Sequence, residues 1–293
     1  MILYFECFSG ISGDMSVASL LDLGADKQVL LDALDSLNID GYKLEIDTSS
    51  KCGIFGTSFN VALADGRHPD YIGENDHYHH VSEAVDEDSS KAEEEKDTEV
   101  EETQNNKSEK HNHSHHTHRN LADITKIIDE SGITDNAKTI AKSIFGFIAR
   151  AEAKAHNKTM NEIHFHEVGA VDSIVDVVSV AVCIDNIGIS KIAASTVYEG
   201  TGFVQCAHGI MPVPVPAVVN IFQESGLNMR ITETRSEMVT PTGAAVLAAL
   251  VNIDELPNDF KIVKTGIGVG QKDFPNANIL RTMLIEETKK KAV

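Results

Sequence analysis

The sequence has no tryptophan, and aromatic residues of all kinds make up only 5% of its 293 residues. Aromatic platforms on which bases or sugars stack are therefore scarce. Positive charge is also in deficit, because the formal net charge is −20. Such a surface repels nucleic acid and anionic lipid, so we expect neither nucleic acid nor a membrane as a partner.

Cysteines and long apolar runs are few as well. The four cysteines lie far apart and form no CxxC pair, which favours a reducing compartment and argues against a disulfide framework or a structural thiolate zinc site. No apolar run reaches the roughly 18 residues that a membrane-spanning helix needs. The start, MILYFECF, lacks the basic flank of a signal peptide. We therefore expect a cytoplasmic protein.

The chain does contain strands that alternate with helices, a pattern that predicts an α/β fold with a mixed sheet. Residues 1–65 are expected to form a strand, a glycine-containing loop, helices and two strands. Residues 120–287 are expected to complete the same core, and residues 288–293 to form a frayed tail. Pro216 suits the first turn of a helix, and Thr240 or Thr242 suits a helix N-cap.

A long insertion, residues 66–119, interrupts this pattern. From Ser82 to Lys110 it holds 12 acidic residues and 4 lysines, with too few apolar side chains to offset the entropy of ordering, so we expect it to be disordered. It ends in HNHSHHTH, in which five histidines occupy eight positions: His111, His113, His115, His116 and His118. Such a tract on a flexible tether is suited to capturing a transition metal at neutral pH, although a solubilising tail is the alternative.

The segment NEIHFHEVGAVDSIVD is the first candidate for a folded metal site. If its first part is extended, His164 and His166 point to the same side. If its last part is helical, Asp172 and Asp176 lie one turn apart on one face. With Glu167 at the turn, nitrogen and oxygen donors suited to nickel, zinc, iron or manganese would converge. Alternatively, Asp172 caps the helix, Asp176 complements its dipole, and the histidines pack in the core.

The loop FSGISGDM is a second candidate, because glycine and serine that open a helix can present backbone N–H groups to an anion. Its spacing matches neither the Walker motif nor GxGxxG. Asp14 in this loop is either a helix N-cap or a cation ligand. Arg281 either binds a phosphate through two hydrogen bonds of its guanidinium or forms a surface salt bridge. The predicted anion and cofactor contacts are Ser9, Gly10, Ser12, Gly13 and Arg281.

Six segments together resemble the LarC family of nickel insertion proteins. In chain order they are YFECFSGISGDM, the histidine tract with RNLADI, IHFHEVGAVDSIVD, HGIMPVPVPAVV, VTPTGAAVL and GIGVGQKDF. Each motif alone is modest, but six in order are specific, and they extend from Met1 to about Arg281 outside the acidic linker. One departure is Glu6, where the family usually carries aspartate.

The resemblance implies that Ni(II) is inserted into pyridinium-3,5-bisthiocarboxylic acid mononucleotide, giving the nickel-pincer cofactor of lactate racemase. The metal ends bound to two sulfurs and to the ring carbon between them, which loses a proton. The family also implies CTP hydrolysis with Mn²⁺ or Mg²⁺, associated with a further C-terminal domain. This chain ends at Val293, so two alternatives stay open: a split gene, in which a C-terminal partner chain supplies that domain, or a truncated form. The resemblance also implies that lactate racemase apoprotein receives the product.

These expectations combine into one hypothesis for a homo-oligomeric nickel chelatase. The histidine tract collects Ni(II) and passes it to a site drawn from His164, His166, Glu167, Asp172 and Asp176. The ring proton is removed by a base with a pKa near neutrality, a role for which Glu167 and His166 remain equal candidates. Two alternatives stay open: a nickel storage or delivery protein without catalysis, and a hydrolase whose metal activates water.

Overall fold

The computed structural model describes residues 1–63, 119–160, 162–163, 165, 171–206 and 208–288. Most of the predicted acidic and histidine-rich linker, with its predicted disorder, therefore lies outside the described residues. The described residues form seven helices and ten strands, in the order β1 (Ile2–Glu6), α1 (Gly13–Leu23), α2 (Lys27–Asp35), β2 (Tyr42–Lys51), β3 (Ile54–Leu63), α3 (Leu121–Glu130), α4 (Asp135–His156), α5 (Val171–Ile187), β4 (Ile192–Ala194), β5 (Val197–Glu199), β6 (Phe203–Cys206), β7 (Gly209–Pro212), α6 (Pro216–Ser225), β8 (Met229–Ile231), α7 (Pro241–Leu250), β9 (Phe260–Val269) and β10 (Ile279–Glu287). The predicted mixed α/β class is confirmed.

The main sheet has six strands in the order β2-β3-β9-β10-β1-β4. β1 lies antiparallel to β10, with Leu3 opposite Leu284, and parallel to β4. β9 lies antiparallel to β10 and makes a parallel contact with β3. Because the first strand pairs with the last, residues on both sides of the insertion share one sheet. β5 with β8, and β6 with β7, form two separate two-stranded sheets.

The helices pack in layers on this sheet. α1 lies against β9, β3 and β10, and α5 packs between α1 and α4. A Cβ atom on Gly268 of β9 would lie 2.8 Å from the backbone nitrogen of Ser19, so glycine there lets α1 approach the sheet closely. Most of α5 is buried, as expected for a helix that is apolar on nearly all sides. The core therefore extends from the sheet through two helical layers.

The N-termini of the helices test the residues that the sequence indicated as N-caps and first-turn residues. Thr240 is the N-cap of α7, and its Oγ1 accepts a hydrogen bond from the N–H of Gly243 at 3.1 Å. Pro216 is the first residue of α6, as predicted. The interpretation of Asp14 as the N-cap of α1 is wrong. Ser12 adopts the extended cap conformation, Asp14 lies in the first turn, and the Ser12 hydroxyl donates a hydrogen bond to the Asp14 carboxylate.

Within the described ranges, we find no helix whose length and apolar character would let it cross a bilayer.

Candidate functional site

The loop after β1 and the segment before α7 lie side by side. The N–H of Ile11 donates to the carbonyl of Met238 at 3.0 Å, and the N–H of Thr240 donates to the carbonyl of Ile11 at 3.1 Å. Gly10 has a φ of +80°, and a Cβ there would lie 2.7 Å from the Cβ of Met238. Glycine is therefore required at this crossing, which brings the N-termini of α1 and α7 together.

α5 contributes the side chain of Asp176 to the same junction. A Cβ on Gly13 would lie 2.9 Å from both the Cβ of Asp176 and the Cγ2 of Thr242, and closer still to the Asp176 carboxylate. Asp172 lies one turn before Asp176 on α5, and Asp14 follows Gly13 in the first turn of α1. Asp172 and Asp176 are half-buried, and one carboxylate oxygen of each is fully buried. The structure thus places Asp176 directly against the start of α1.

The remaining predicted metal ligands all lie outside the described residues. They are His164, His166 and Glu167, together with the histidine tract His111, His113, His115, His116 and His118. Of the intervening residues, Ile163 and Phe165 are buried, and the N–H of Phe165 donates to the carbonyl of Arg119 at 3.1 Å. Among the residues that can be located, no three His, Cys, Asp or Glu side chains form a group suited to a metal ion. The full ligand set stays a prediction.

A cleft of about 420 Å³ opens beside the same loop. Its lining residues are Glu6, Phe8, Ser9, Tyr198, Thr232, Thr234, Met238, Asn276, Ala277, Ile279 and Arg281. Two predicted cofactor contacts, Ser9 and Arg281, meet here, whereas the other three, Gly10, Ser12 and Gly13, are not among the lining residues. The structure therefore divides the predicted set between the cleft and the helix junction.

The cleft holds an ion pair between its two charged lining residues. Glu6 and Arg281 face each other across the β1–β10 pairing, and their side chains form a salt bridge. The Glu6 side chain is 15% exposed and that of Arg281 is 46% exposed. The salt bridge that the sequence left as the alternative for Arg281 is thus present, and the more exposed guanidinium still borders the cleft.

Ser9 is held in place by two neighbours that the sequence did not single out. Its hydroxyl donates to the carbonyl of Ala277 at 2.7 Å and accepts a hydrogen bond from Nδ2 of Asn276 at 2.8 Å. These contacts join residues more than 260 positions apart, so no local pattern could indicate them.

Glu199 is a functional candidate that sequence reasoning missed altogether. Its side chain is fully buried, and its Oε1 accepts hydrogen bonds from the N–H groups of Gly200, Met238 and Val239 at 2.7, 2.8 and 3.2 Å. Burial raises the pKa of this carboxyl to about 7, outweighing the backbone hydrogen bonds, which lower it. Glu199 therefore ties β5 to the segment that positions the Ser9–Gly13 loop. The only sequence signal was a glutamate before glycine in an otherwise apolar strand.

Comparison with known proteins agrees with the resemblance to nickel insertion proteins that the sequence motifs indicate. A family model described as nickel insertion protein matches residues 3–293. A pyridinium-3,5-bisthiocarboxylic acid mononucleotide nickel insertion protein from Alkaliphilus metalliredigens is 49% identical over 98% of this chain and 61% of its own length. Proteins of the same name from Clostridium acetobutylicum and Clostridium kluyveri are 47% and 41% identical, over 98% and 100% of this chain. Each of those two is covered over 64% of its length, so the chain spans less than two thirds of these relatives. No solved structure matches the chain.

Proposed function

Since this chain belongs to the nickel insertion protein family, we propose that it takes part in inserting Ni(II) into pyridinium-3,5-bisthiocarboxylic acid mononucleotide. The product would be the nickel-pincer cofactor of lactate racemase. The observation that carries the proposal is the junction at which Asp176 of α5 packs against Gly13, the first residue of α1. It supports the idea that the segment containing residues 164–176 borders a site for metal and ligand.

The nickel ligands in this proposal come from two parts of the chain. The donors that we propose for metal capture are His111, His113, His115, His116 and His118. The donors that we propose for the insertion site are His164, His166, Glu167, Asp172, Asp176 and Asp14. The half-buried carboxylate of Asp176, which packs against Gly13 at the start of α1, supports the second group. Imidazole and carboxylate bind Ni(II) while leaving positions that softer sulfur ligands can take. The thiocarboxylate sulfurs of the substrate would then displace carboxylate oxygens.

The insertion step needs a base and no redox partner. As the bond between nickel and the ring carbon forms, the C–H bond at that carbon breaks, its electron pair goes to the metal, and nickel stays Ni(II). The released proton goes to Glu167 or His166, our two candidates for the base. General base catalysis of this kind contributes about 10²- to 10⁴-fold.

In this proposal, CTP is not bound by residues 1–293. We assign CTP and its Mn²⁺ or Mg²⁺ ion to the C-terminal region that the longer relatives possess. Lactate racemase apoprotein would receive the product, and the chain would act as a homo-oligomer in the cytoplasm. Its organisation would be a core of residues 1–65 and 120–287, a linker of residues 66–119 and a tail of residues 288–293.

A reconstitution assay tests the proposal. The chain is mixed with nickel chloride, the bisthiocarboxylic precursor, CTP and Mg²⁺, with and without a C-terminal chain from a relative, and lactate racemase activation is measured. We expect activation and a change in precursor absorbance that require this chain. Nickel uptake with no absorbance change in either mixture would instead indicate a storage or delivery protein. Hydrolysis of phosphate or amide esters without precursor would indicate a metal-dependent hydrolase.

A further inference from the structure

The cleft beside Ser9 has an aromatic wall that the proposed nickel ligands do not use. Phe8 and Tyr198 both line it, with ring centroids 5.1 Å apart and ring planes tilted by 55°. The Phe8 side chain is 48% exposed, so it offers a ring surface to a ligand. Aromatic faces carry negative quadrupole charge and attract a cationic ring.

The charges at the cleft have both signs. Glu6 lies largely out of solvent and pairs with Arg281. Arg230 does not line the cleft, but its guanidinium lies 5.4 Å from the ring centroid of the lining residue Tyr198 and donates to the Tyr198 hydroxyl at 3.1 Å. In the part of the chain that the structure covers, Arg230 has no carboxylate partner. An exposed guanidinium of this kind is suited to a phosphate group.

We infer that this cleft binds a pyridinium mononucleotide, with its cationic ring against Phe8, Tyr198 and Glu6 and its phosphate at Arg230. The inference rests on the proposed function for the choice of nucleotide. The cleft volume of about 420 Å³ lies in the range of small-molecule sites, roughly 300 to 1,000 Å³. A ligand with a cationic ring and an anionic phosphate suits an aromatic wall whose Tyr198 also contacts the Arg230 guanidinium.

Isothermal titration of the chain, without nickel, tests this assignment with two mononucleotides. One is pyridinium-3-carboxylic acid mononucleotide, and the other is uridine 5′-monophosphate, which has the same ribose phosphate but a neutral ring. We expect the pyridinium compound to bind more tightly. Phe8→Leu keeps apolar volume but removes the ring, and should lower the affinity ratio by about 2- to 30-fold. Glu6→Gln should lower the same ratio.

Two further variants separate the phosphate from the ring. Arg230→Gln should weaken both mononucleotides about equally and leave their ratio unchanged. Phe55→Leu is the matched control, because Phe55 is an exposed phenylalanine on β3, away from the cleft. It should change neither affinity. Equal affinity of the unaltered chain for both compounds, or an unchanged ratio in both Phe8→Leu and Glu6→Gln, would overturn the inference.

This titration and the reconstitution assay fail in different ways. If lactate racemase is activated but the affinity ratio is near one, the precursor binds elsewhere on the protein. If the ratio behaves as expected but no nickel is inserted, the cleft is a pyridinium nucleotide site and the proposed nickel chemistry is wrong.

Discussion

Gly13 and Asp176 pack so closely that no side chain larger than hydrogen fits between them. A Cβ on Gly13 would lie 2.9 Å from the Cβ of Asp176 and nearer to its carboxylate. Gly13 begins α1, and Asp176 lies on the face of α5 that carries Asp172. The start of α1 and the Asp176 side chain of α5 are therefore held at a fixed distance from each other. A preorganised metal site needs side chains that are held in place in this way.

Gly13→Ala should disrupt this contact. Overpacking of this kind costs about 1 to 3 kcal/mol, and we expect a loss of that size in the free energy of unfolding, measured by urea denaturation. Gly146→Ala is the matched control, because a Cβ there would meet only the flexible Arg150 guanidinium, at 3.2 Å. It lies inside α4 and should stabilise the chain by about 0.5 to 1 kcal/mol. A Gly13→Ala chain as stable as the unaltered one would show that the junction is loose.

Asp172→Asn and Asp176→Asn should weaken nickel binding by the folded part of the chain by at least about tenfold each. Asparagine keeps the shape of aspartate but loses the negative charge that favours a divalent ion. Isothermal titration with nickel chloride measures the change. Asp185→Asn is the control on the same helix, where the carboxylate accepts hydrogen bonds from Thr134 and Asn136 at 2.6 and 2.7 Å. Unaltered affinity in both test variants would remove these residues from the site.

Glu199 should make stability depend on pH in a definite direction. Its pKa is raised from the ordinary 4.5 to about 7 in the folded state. The unfolded chain therefore releases this proton at lower pH than the native protein does. The resulting stabilisation is fully present below pH 4.5 and is lost as the pH rises through about 7.

The free energy of unfolding should thus fall, relative to that of Glu199→Gln, between about pH 5 and pH 8. The difference should change by on the order of 3 kcal/mol, since the pKa rises from 4.5 to about 7 and one pKa unit corresponds to about 1.4 kcal/mol. Glutamine keeps an oxygen that can accept from the three backbone N–H groups but does not titrate. Urea denaturation of both chains across this range gives the difference, and a constant value would contradict the pKa assignment.

Local patterns predicted local structure well. Alternating apolar residues placed β2 and β3, and helical periodicity placed α3 and α4. The sequence left Thr240 and Thr242 as alternative N-caps of α7, and the structure shows that Thr240 is the cap. Asp14 was misjudged because Ser12, two residues earlier, also suits an N-cap, and only the backbone conformation decides between them. The choice between Ser12 and Asp14 depends on which residue adopts the extended backbone conformation before α1, and the residue types alone do not determine this.

Contacts between distant segments could not be predicted in the same way. The pairing of β1 with β10 joins Ile2 to Ile285, and the cleft combines residues from five separate stretches of chain. Ser9 and Arg281 were singled out, but Tyr198, Asn276 and Glu199 owe their roles to tertiary packing. Asp176 was predicted as a ligand from its spacing, whereas its contact with Gly13 follows from how α1 and α5 cross.

The histidine tract gives the last prediction, which separates metal capture from folding. Deleting residues 82–118 should leave the free energy of unfolding unchanged, because β3 ends at Leu63 and α3 begins at Leu121, outside the deletion. Nickel loading at low metal concentration should fall, because five imidazoles are removed. Deleting only residues 82–110 keeps the histidines and serves as the control. Equal nickel loading of both deletions and the unaltered chain, measured by equilibrium dialysis, would show that the tract only aids solubility.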